Sequence, residues 1–178
     1  MRIGMAAKQI VFVIAHEGFQ PVEYDVPRRI LEESGLIVVT ASDKIGSAVA
    51  SDGTTTVDVQ LLIDDINVDD CSGIFFIGGP GALEHLDNEK SYALLRKVKE
   101  KKKLYGAICI SPRILAKAGV LEHKKATGWD GDEQLIPVFD AHNVDYVRQD
   151  VVIDGSIVTA VGPQAAHEFG AKILSLIS

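Results

Sequence analysis

Runs of apolar residues alternate with amphipathic stretches along almost the whole chain, and this alternation limits the possible folds more than any other feature. Residues 9–15 form a continuous run rich in β-branched residues, as in a parallel strand that is buried on both faces. Similar runs at residues 36–40, 73–77 and 104–108 predict further central strands. A sheet of this kind needs helices on both of its faces.

Helical patterns lie between these runs. Val22, Val26 and Ile30 recur every four residues and predict a helix that ends near residues 34–35. Three more helices are predicted at residues 89–101, from Pro112 onward, and at residues 164–177. The pattern predicts a flavodoxin-like, three-layer α/β/α sandwich with a mostly parallel sheet, built as one domain over residues 1–178.

Two segments depart from the parallel pattern. Residues 54–63 alternate and carry Asp and Gln, which indicates a peripheral hairpin or an edge segment. Residues 151–153 and 157–159 flank Asp154-Gly155, a dipeptide that favours a tight antiparallel hairpin.

Composition and charge exclude several classes of function. The 178 residues carry a net charge of −7, which disfavours binding to nucleic acid and to anionic membranes. No apolar run approaches the ~20 residues that span a bilayer, and no signal peptide is recognisable. Two cysteines form no disulfide framework, so a reducing cytoplasm is expected.

Neither a metal nor a cofactor is predicted. His85, His123, His142 and His167 show no ligand spacing, and no phosphate-binding glycine motif is present. The lysines at 99 and 101–103 end a predicted helix, where cations are favourable, and they indicate a solvated face.

The turn after the fourth strand run is the first candidate for chemistry. Cys109 is flanked two residues away by the small residues Ala107 and Ser111, which a sharp strand-to-helix turn requires. The start of the next helix is expected to favour the thiolate. The alternative is a small buried hydrophobic residue at a strand end, which is common for cysteine.

The glycine-rich loop at residues 78–81 is the second candidate. It follows a buried strand, and its backbone N–H groups are able to stabilise an oxyanion. A tight turn that only requires glycine conformations is an equal alternative.

Together the two junctions resemble one family. The order of strand, Gly-Gly-Pro-Gly, lysine-rich helix and then Ala-Ile-Cys-x-x-Pro-x-Ile-Leu-Ala is similar to the ThiJ/PfpI superfamily, within the class I glutamine amidotransferase-like group. The resemblance extends from the first strand through residues 19–23 to Gly162-Pro163 and Phe169-Gly170, and is most specific over residues 107–127.

The resemblance implies roles for individual residues. Cys109 matches the family's nucleophilic or oxidisable cysteine, and the N–H groups of Gly79 and Ile110 match its oxyanion hole. It also implies a small-molecule substrate and a homodimer or larger homo-oligomer.

Three positions depart from the family pattern. Ile110 replaces the histidine of the PfpI-type Cys-His-Gly motif, and Gln20 stands where a glutamate commonly touches the thiol. Trp129 stands where the human-type deglycases have a histidine. Peptidase activity of the PfpI type is therefore not expected, because loss of a general base typically costs 10²–10⁴-fold in rate.

Other residues near the two junctions are candidates for the pocket. Glu17, Glu23 and His16 are alternative proton carriers, although each is also explained as a solvated or structural side chain. Arg113 either binds an anionic substrate group or forms a surface salt bridge. The full set of predicted substrate-binding residues is His16, Glu17, Glu23, Gly78, Ser111, Arg113 and Trp129.

Three functions remain open from the sequence. The first is a cysteine-dependent hydrolase or glyoxalase/deglycase acting on small carbonyl compounds. The second is a redox or stress-response protein whose Cys109 oxidises with little turnover. The third is a scaffold that has kept the fold and lost the chemistry.

Overall fold

A seven-stranded sheet forms the centre of the protein in the computed structural model, which describes residues 8–177. Numbered along the chain, its strands are β1 (Gln9–Ile14), β3 (Ile37–Ser42), β6 (Leu61–Leu62), β7 (Gly73–Phe76), β8 (Leu104–Ile108), β11 (Val151–Asp154) and β12 (Ile157–Ala160). Their spatial order is β11-β12-β8-β7-β1-β3-β6. The four apolar runs identified in the sequence are the four central strands β1, β3, β7 and β8, as predicted.

Every pair in this sheet is parallel except β11 with β12. That pair forms the predicted hairpin, but its register places Asp154 opposite Ile157, so the two turn residues are Gly155 and Ser156. The expected turn at Asp154-Gly155 is therefore wrong by one position. Gly155 has a φ of +60°, which glycine adopts without strain and other residues rarely do.

Helices cover both faces of the sheet, which confirms the predicted mostly parallel α/β architecture. The helices α1 (Pro21–Glu33) and α6 (Ala166–Leu176) pack on one face. The other face carries α3 (Glu89–Glu100), α4 (Pro112–Lys117) and α5 (Leu135–Ala141), and the single turn α2 (Ala82–His85) follows the glycine loop.

The orientation of α1 differs from the sequence expectation. Its buried residues are Glu23, Tyr24, Pro27 and Leu31, whereas Val22 is 43% exposed. The helix is thus turned by about one residue, ~100°, relative to the stripe formed by positions 22, 26 and 30. It is held there by α6, because a side chain at Gly170 would come within 2.8 Å of the Pro27 Cα atom.

Two small sheets lie outside the central one. The strands β2 (Glu17–Phe19), β4 (Gly46–Ala50) and β5 (Thr56–Val59) form the first, and β9 (Lys125–Ala126) with β10 (Asp145–Tyr146) forms the second. Residues 54–63 therefore supply both β5, on the peripheral sheet, and β6, at the edge of the central sheet. Short 3₁₀ turns at Ile63–Asp65, Val68–Asp70 and Pro163–Ala165 connect the remaining elements.

Candidate functional site

Cys109 lies on a strained backbone turn directly after β8. Its φ is +65°, in the left-handed region that a residue with a Cβ atom rarely adopts. The turn is fixed from two sides, because the Cys109 N–H donates to the Ala160 carbonyl (2.9 Å) and its carbonyl accepts from the Trp129 N–H (2.7 Å). The sequence predicted this sharp turn from the small residues around Cys109.

The small neighbours have structural roles. Ala107 is fully buried, and Ser111 is fully buried with its hydroxyl donating to the Ile77 carbonyl at 2.8 Å. Ser111 therefore ties the cysteine turn to the strand before the glycine loop. Because its hydroxyl is enclosed and engaged, Ser111 does not line a substrate pocket as the sequence suggested.

Glu23 is the acidic residue beside the thiol. It is the third residue of α1 and is completely buried, and its carboxyl group lies beside the Cys109 thiol, so that each group shifts the pKa of the other. Its Oε1 atom has no hydrogen-bond partner among the described residues. Its Oε2 atom accepts the Gly78 N–H at 2.9 Å. The thiol and the glycine loop thus share one buried carboxyl group.

Gln20 does not occupy the position that the sequence assigned to it. It is the N-terminal cap of α1, and its Oε1 atom accepts the backbone N–H of Glu23 at 2.9 Å. Because the helix begins at Pro21, the side chain at position 20 folds back onto the first turn. The side chain at position 23 enters the interior instead, so the acidic neighbour of the thiol has been retained.

Burial shapes the ionisation of this pair. Desolvation raises the pKa of Glu23 from 4.5 to about 7, against the lowering effect of its hydrogen bonds to Cys109 and Gly78. Desolvation, followed by the charge of Glu23, raises the pKa of Cys109 to about 12. Both shifts have the same consequence: near neutral pH the pair carries at most one negative charge.

Whatever the following helix contributes to a thiolate is outweighed by burial and by the charge of Glu23. α4 has only six residues, and it begins at a proline without an N–H group. The groups that do favour a charged sulfur are the N–H groups of Gly79 and Ile110, both of which hydrogen-bond to Cys109. Their effect on the Cys109 pKa is smaller than the effects of burial and of the Glu23 charge.

The glycine loop fits closely around the pair. A Cβ atom at Gly78 would lie 2.6 Å from the Cys109 Cβ and 2.7 Å from the Glu23 Oε2. Gly79 has a φ of +116°, and a side chain there would come within 2.4 Å of the Gly18 carbonyl oxygen. Both glycines are required for the backbone N–H groups to reach the sulfur and the carboxyl group.

The structure separates two other predicted proton carriers from the thiol. Glu17 is exposed, and its Oε1 atom lies 3.8 Å from the Lys44 Nζ. The backbone N–H of His16 donates to the Asp43 carboxylate at 2.9 Å, and the two ring nitrogens of His16 are buried without a hydrogen-bond partner among the described residues. No interaction described for residues 8–177 joins either side chain to Cys109, whereas Glu23 contacts it directly.

Arg113 is a buried structural cation rather than an exposed anion receptor. It is 3% exposed, forms a bidentate ion pair with Asp132, and donates to the Trp129 carbonyl at 3.2 Å. Its guanidinium carbon also lies 5.7 Å from the centroid of the Trp129 ring. Arg113 lowers the pKa of Asp132 and fixes the segment whose Trp129 N–H holds the Cys109 carbonyl.

Trp129, whose N–H holds the Cys109 carbonyl, lines a groove next to the cysteine turn. The groove has a volume of about 440 Å³, and Gly128, Tyr146, Arg148 and Gln164 also line it. The Trp129 ring is 38% exposed and forms part of its wall. The groove is large enough for a small organic molecule.

No group of His, Cys, Asp and Glu residues within the described range 8–177 is arranged to hold a metal ion. In the same range, no helix is long and apolar enough to cross a membrane.

The fold and the site define a class: α/β proteins that carry a cysteine on a strained strand-to-helix turn, next to a buried carboxyl group and a glycine loop. A sequence model of the DJ-1/PfpI family matches residues 8–176. The chain therefore belongs to the DJ-1/PfpI family.

Individual relatives agree with this assignment. An uncharacterized protein of Methanocaldococcus jannaschii is 35% identical over 177 residues, which is 99% of this chain and 85% of the relative. The deglycase PfpI of Pyrococcus furiosus is 30% identical over 95% of this chain and 99% of its own length. The crystal structure of a ThiJ/PfpI domain protein from Brachyspira murdochii superimposes with a TM-score of 0.90 at 25% identity, covering 97% of this chain and 98% of that one.

The sequence indicated Glu23 only as one of three alternative proton carriers, and it did not indicate Asp132 at all. A usable signal existed for Glu23, because it shares an i, i+4 spacing with the apolar residues Pro27 and Leu31. A carboxyl group on an apolar helix stripe indicates a buried acid. No comparable signal existed for Asp132, since an exposed loop aspartate has no sequence pattern that pairs it with Arg113.

Glu23→Gln is expected to change the pH dependence of folding stability. The pKa of Glu23 is about 7 in the folded protein, against an ordinary value of 4.5. The contribution of Glu23 to folding stability is therefore fully present below about pH 4.5 and is lost as the pH rises through 7. At about 1.4 kcal/mol per pKa unit, the wild type should lose about 3 kcal/mol relative to Glu23→Gln across this range.

Urea unfolding at pH 4.5, 6, 7 and 8 measures this difference. Glu17→Gln, at an exposed carboxylate, is the matched control and should stay parallel to the wild type. Parallel curves for Glu23→Gln as well would show that Glu23 has an ordinary pKa.

Gly78→Ala is expected to separate Glu23 from Cys109. The added methyl group would contact both residues and the Ile108 carbonyl at under 3.0 Å, so the backbone or the pair must move. Overpacking of this kind costs about 1–3 kcal/mol. In urea unfolding, the variant should be less stable and should also lose the Glu23-dependent change with pH.

Gly35→Ala is the control, because it has a φ of +86° and nothing within 4 Å of the added atom. It should lose about 1 kcal/mol and keep the pH dependence of the wild type. If Gly78→Ala keeps the wild-type pH dependence of stability too, the glycine loop does not pack closely on Glu23 and Cys109.

Proposed function

We propose that the protein is a cysteine-dependent enzyme of the glyoxalase/deglycase or hydrolase type that acts on small carbonyl compounds. One observation carries the proposal: a thiol on a strained turn contacts a buried carboxyl group whose pKa lies near neutrality. A general acid–base works best when its pKa is close to the operating pH. The 30% identity to the Pyrococcus furiosus deglycase supports the same class of reaction.

The first chemical step follows from the contacts of Cys109. As the sulfur attacks a carbonyl carbon, an S–C bond forms and the C=O π electrons move to the oxygen. The thiol proton passes to the Glu23 carboxylate, which it already contacts. Glu23 then returns this proton to the new oxyanion, and the product is a neutral hemithioacetal.

The high pKa of Cys109 is compatible with this step. A free thiolate is not needed, because the proton leaves the sulfur as the bond forms and has an adjacent acceptor. The N–H groups of Gly79 and Ile110 hydrogen-bond to the sulfur in the resting protein. The new oxyanion is only two bonds away from the sulfur, so these donors lie close to the charge that develops on it.

For an α-oxoaldehyde, the same carboxyl group accounts for the rest of the reaction. Glu23 moves a proton from the hemithioacetal carbon to the adjacent carbonyl carbon, and the hydroxyl proton passes from the first oxygen to the second, which gives a thioester of a hydroxy acid. Water then hydrolyses the thioester to a hydroxy acid and frees Cys109. The sum is one aldehyde plus one water giving one acid, with no external oxidant.

Two further properties belong to the proposal. Both cysteines are free, Cys71 buried and Cys109 half-buried, which is consistent with a reducing compartment such as the cytoplasm. The homodimer or larger assembly that the family resemblance implied remains a prediction.

Methylglyoxal turnover tests the enzymatic proposal. Cys109→Ser is expected to abolish it, and Glu23→Gln to lower kcat by 10²–10⁴-fold because the proton carrier is lost. In the wild type, kcat should rise with pH to a half-maximum near pH 7, where Glu23 ionises.

Cys71→Ser is the control, since Cys71 is buried away from the site and its thiol donates to the Val68 carbonyl. It should retain full activity. Turnover that is unchanged by Cys109→Ser, or absent in the wild type with all the carbonyl substrates offered, contradicts the proposal.

The second candidate function is a redox or stress-response protein, and the donors around the sulfur favour it. Two successive reactions with peroxide convert the thiol to sulfenic and then to sulfinic acid, each releasing one water. The N–H groups of Gly79 and Ile110 and a protonated Glu23 are placed to hydrogen-bond the added oxygens.

Mass spectrometry after graded peroxide treatment tests this candidate. Cys109 should oxidise before Cys71, because Cys71 is only 4% exposed whereas Cys109 is half-buried and more accessible to peroxide. Accumulation of a Cys109 sulfinate in a protein without carbonyl turnover would favour this function over the enzymatic one. Equal oxidation of both cysteines would exclude it.

A further inference from the structure

A basic groove lies at the opposite end of the sheet from Cys109. It has a volume of about 330 Å³, and four lysines line it: Lys99, Lys102, Lys103 and Lys124. Tyr105, near the start of β8, also lines the groove, whereas Cys109 follows the end of that strand. At ~3.3 Å per residue, the two positions are roughly 13 Å apart along the strand.

The charge of this groove is opposite to that of the whole chain. The protein has 25 acidic and 18 basic residues, yet among the described residues Asp154 is the one acidic residue that lines the groove. The Asp154 carboxylate is already engaged, because its Oδ2 atom accepts the backbone N–H of Lys125 at 2.8 Å. The groove therefore has a local surplus of three positive charges, from four lysines and one aspartate.

None of the four lysines forms an ion pair with a residue in the described part of the chain. Elsewhere lysines do find acidic partners: Lys90 lies 2.7 Å from Asp64, and Lys101 lies 3.0 Å from Asp69. Like charges gathered without acidic partners repel one another, and a bound anion removes that repulsion.

The backbone at the end of α3 fixes the direction of two of these lysines. Lys102 has a φ of +56°, a conformation at helix ends that usually selects glycine. The turn is closed by hydrogen bonds from Lys102 N–H to the Lys99 carbonyl and from Lys103 N–H to the Val98 carbonyl. A lysine at this position costs backbone strain and places a third ammonium group beside the groove.

The preference of helix C-terminal ends for cations does not explain the whole cluster. It accounts for Lys99, near the end of α3, and for Lys102 and Lys103, which follow that helix. Lys124 belongs to a different segment, just before β9, and completes the groove from the other side. Cations from separate segments that converge on one concave surface are typical of an anion site.

We propose that this groove binds a small anion with two or more negative charges, of the inorganic phosphate or pyrophosphate class. The Tyr105 hydroxyl donates to the Val120 carbonyl, so recognition rests on the lysine ammonium groups rather than on the phenol. The ligand does not reach the thiol, and the proposal is independent of the reaction at Cys109.

Isothermal titration calorimetry with pyrophosphate, and separately with phosphate, tests the proposal on the full chain. Wild-type protein should bind with an affinity that falls as salt rises, and Lys102→Gln/Lys124→Gln should bind at least about tenfold more weakly, because two charge-assisted contacts are lost. Lys97→Gln/Lys172→Gln removes the same charge at exposed lysines outside the groove and should match the wild type.

Three outcomes overturn the proposal. The first is that both double variants bind the anion equally weakly, which indicates an effect of net charge. The second is that neither anion binds saturably to the wild type. The third is that sodium chloride at matched ionic strength gives an equal heat signal. Circular dichroism melts of the two double variants show whether each remains folded, so that loss of binding is not confused with unfolding.

Discussion

The contact between the Glu23 carboxyl group and the Cys109 thiol is the interaction around which the rest of the site is arranged. Burial raises the pKa of both groups, so the thiol stays protonated and Glu23 gains a proton near neutral pH. Backbone N–H groups surround the pair: that of Gly78 donates to the carboxyl group, and those of Gly79 and Ile110 face the sulfur. Each donor reaches its target because the glycine loop has no side chain in the space between them.

The parallel topology brings these groups together. β7 lies between β1 and β8, so the loops that follow these three strands emerge side by side at one edge of the sheet. α1 after β1 supplies Glu23, the loop after β7 supplies Gly78 and Gly79, and the turn after β8 supplies Cys109. The left-handed turn and the buried carboxyl group both oppose folding, and the apolar core on the two faces of the sheet offsets them.

The sequence predicted the sheet, the helices and the cysteine turn, because these depend on patterns that repeat along the chain or on small residues at fixed spacing. It assigned the place beside the thiol to Gln20 and named Glu23 only as an alternative proton carrier, since a shift of one residue in the buried stripe of α1 decides which side chain meets the thiol. That shift depends on packing between Pro27 and Gly170, which are far apart in sequence. Burial of Arg113 against Asp132 was likewise unpredictable, because it is a long-range contact of a loop.

The protonation state of Glu23 tests this account most directly. Infrared difference spectroscopy of wild type against Glu23→Gln isolates the C=O stretching band of one protonated carboxyl group. The account predicts that this band is present at pH 6 and disappears with a midpoint near pH 7. A carboxyl group that is already ionised at pH 6, with a midpoint near the ordinary value of 4.5, would contradict the buried proton-sharing pair at Cys109.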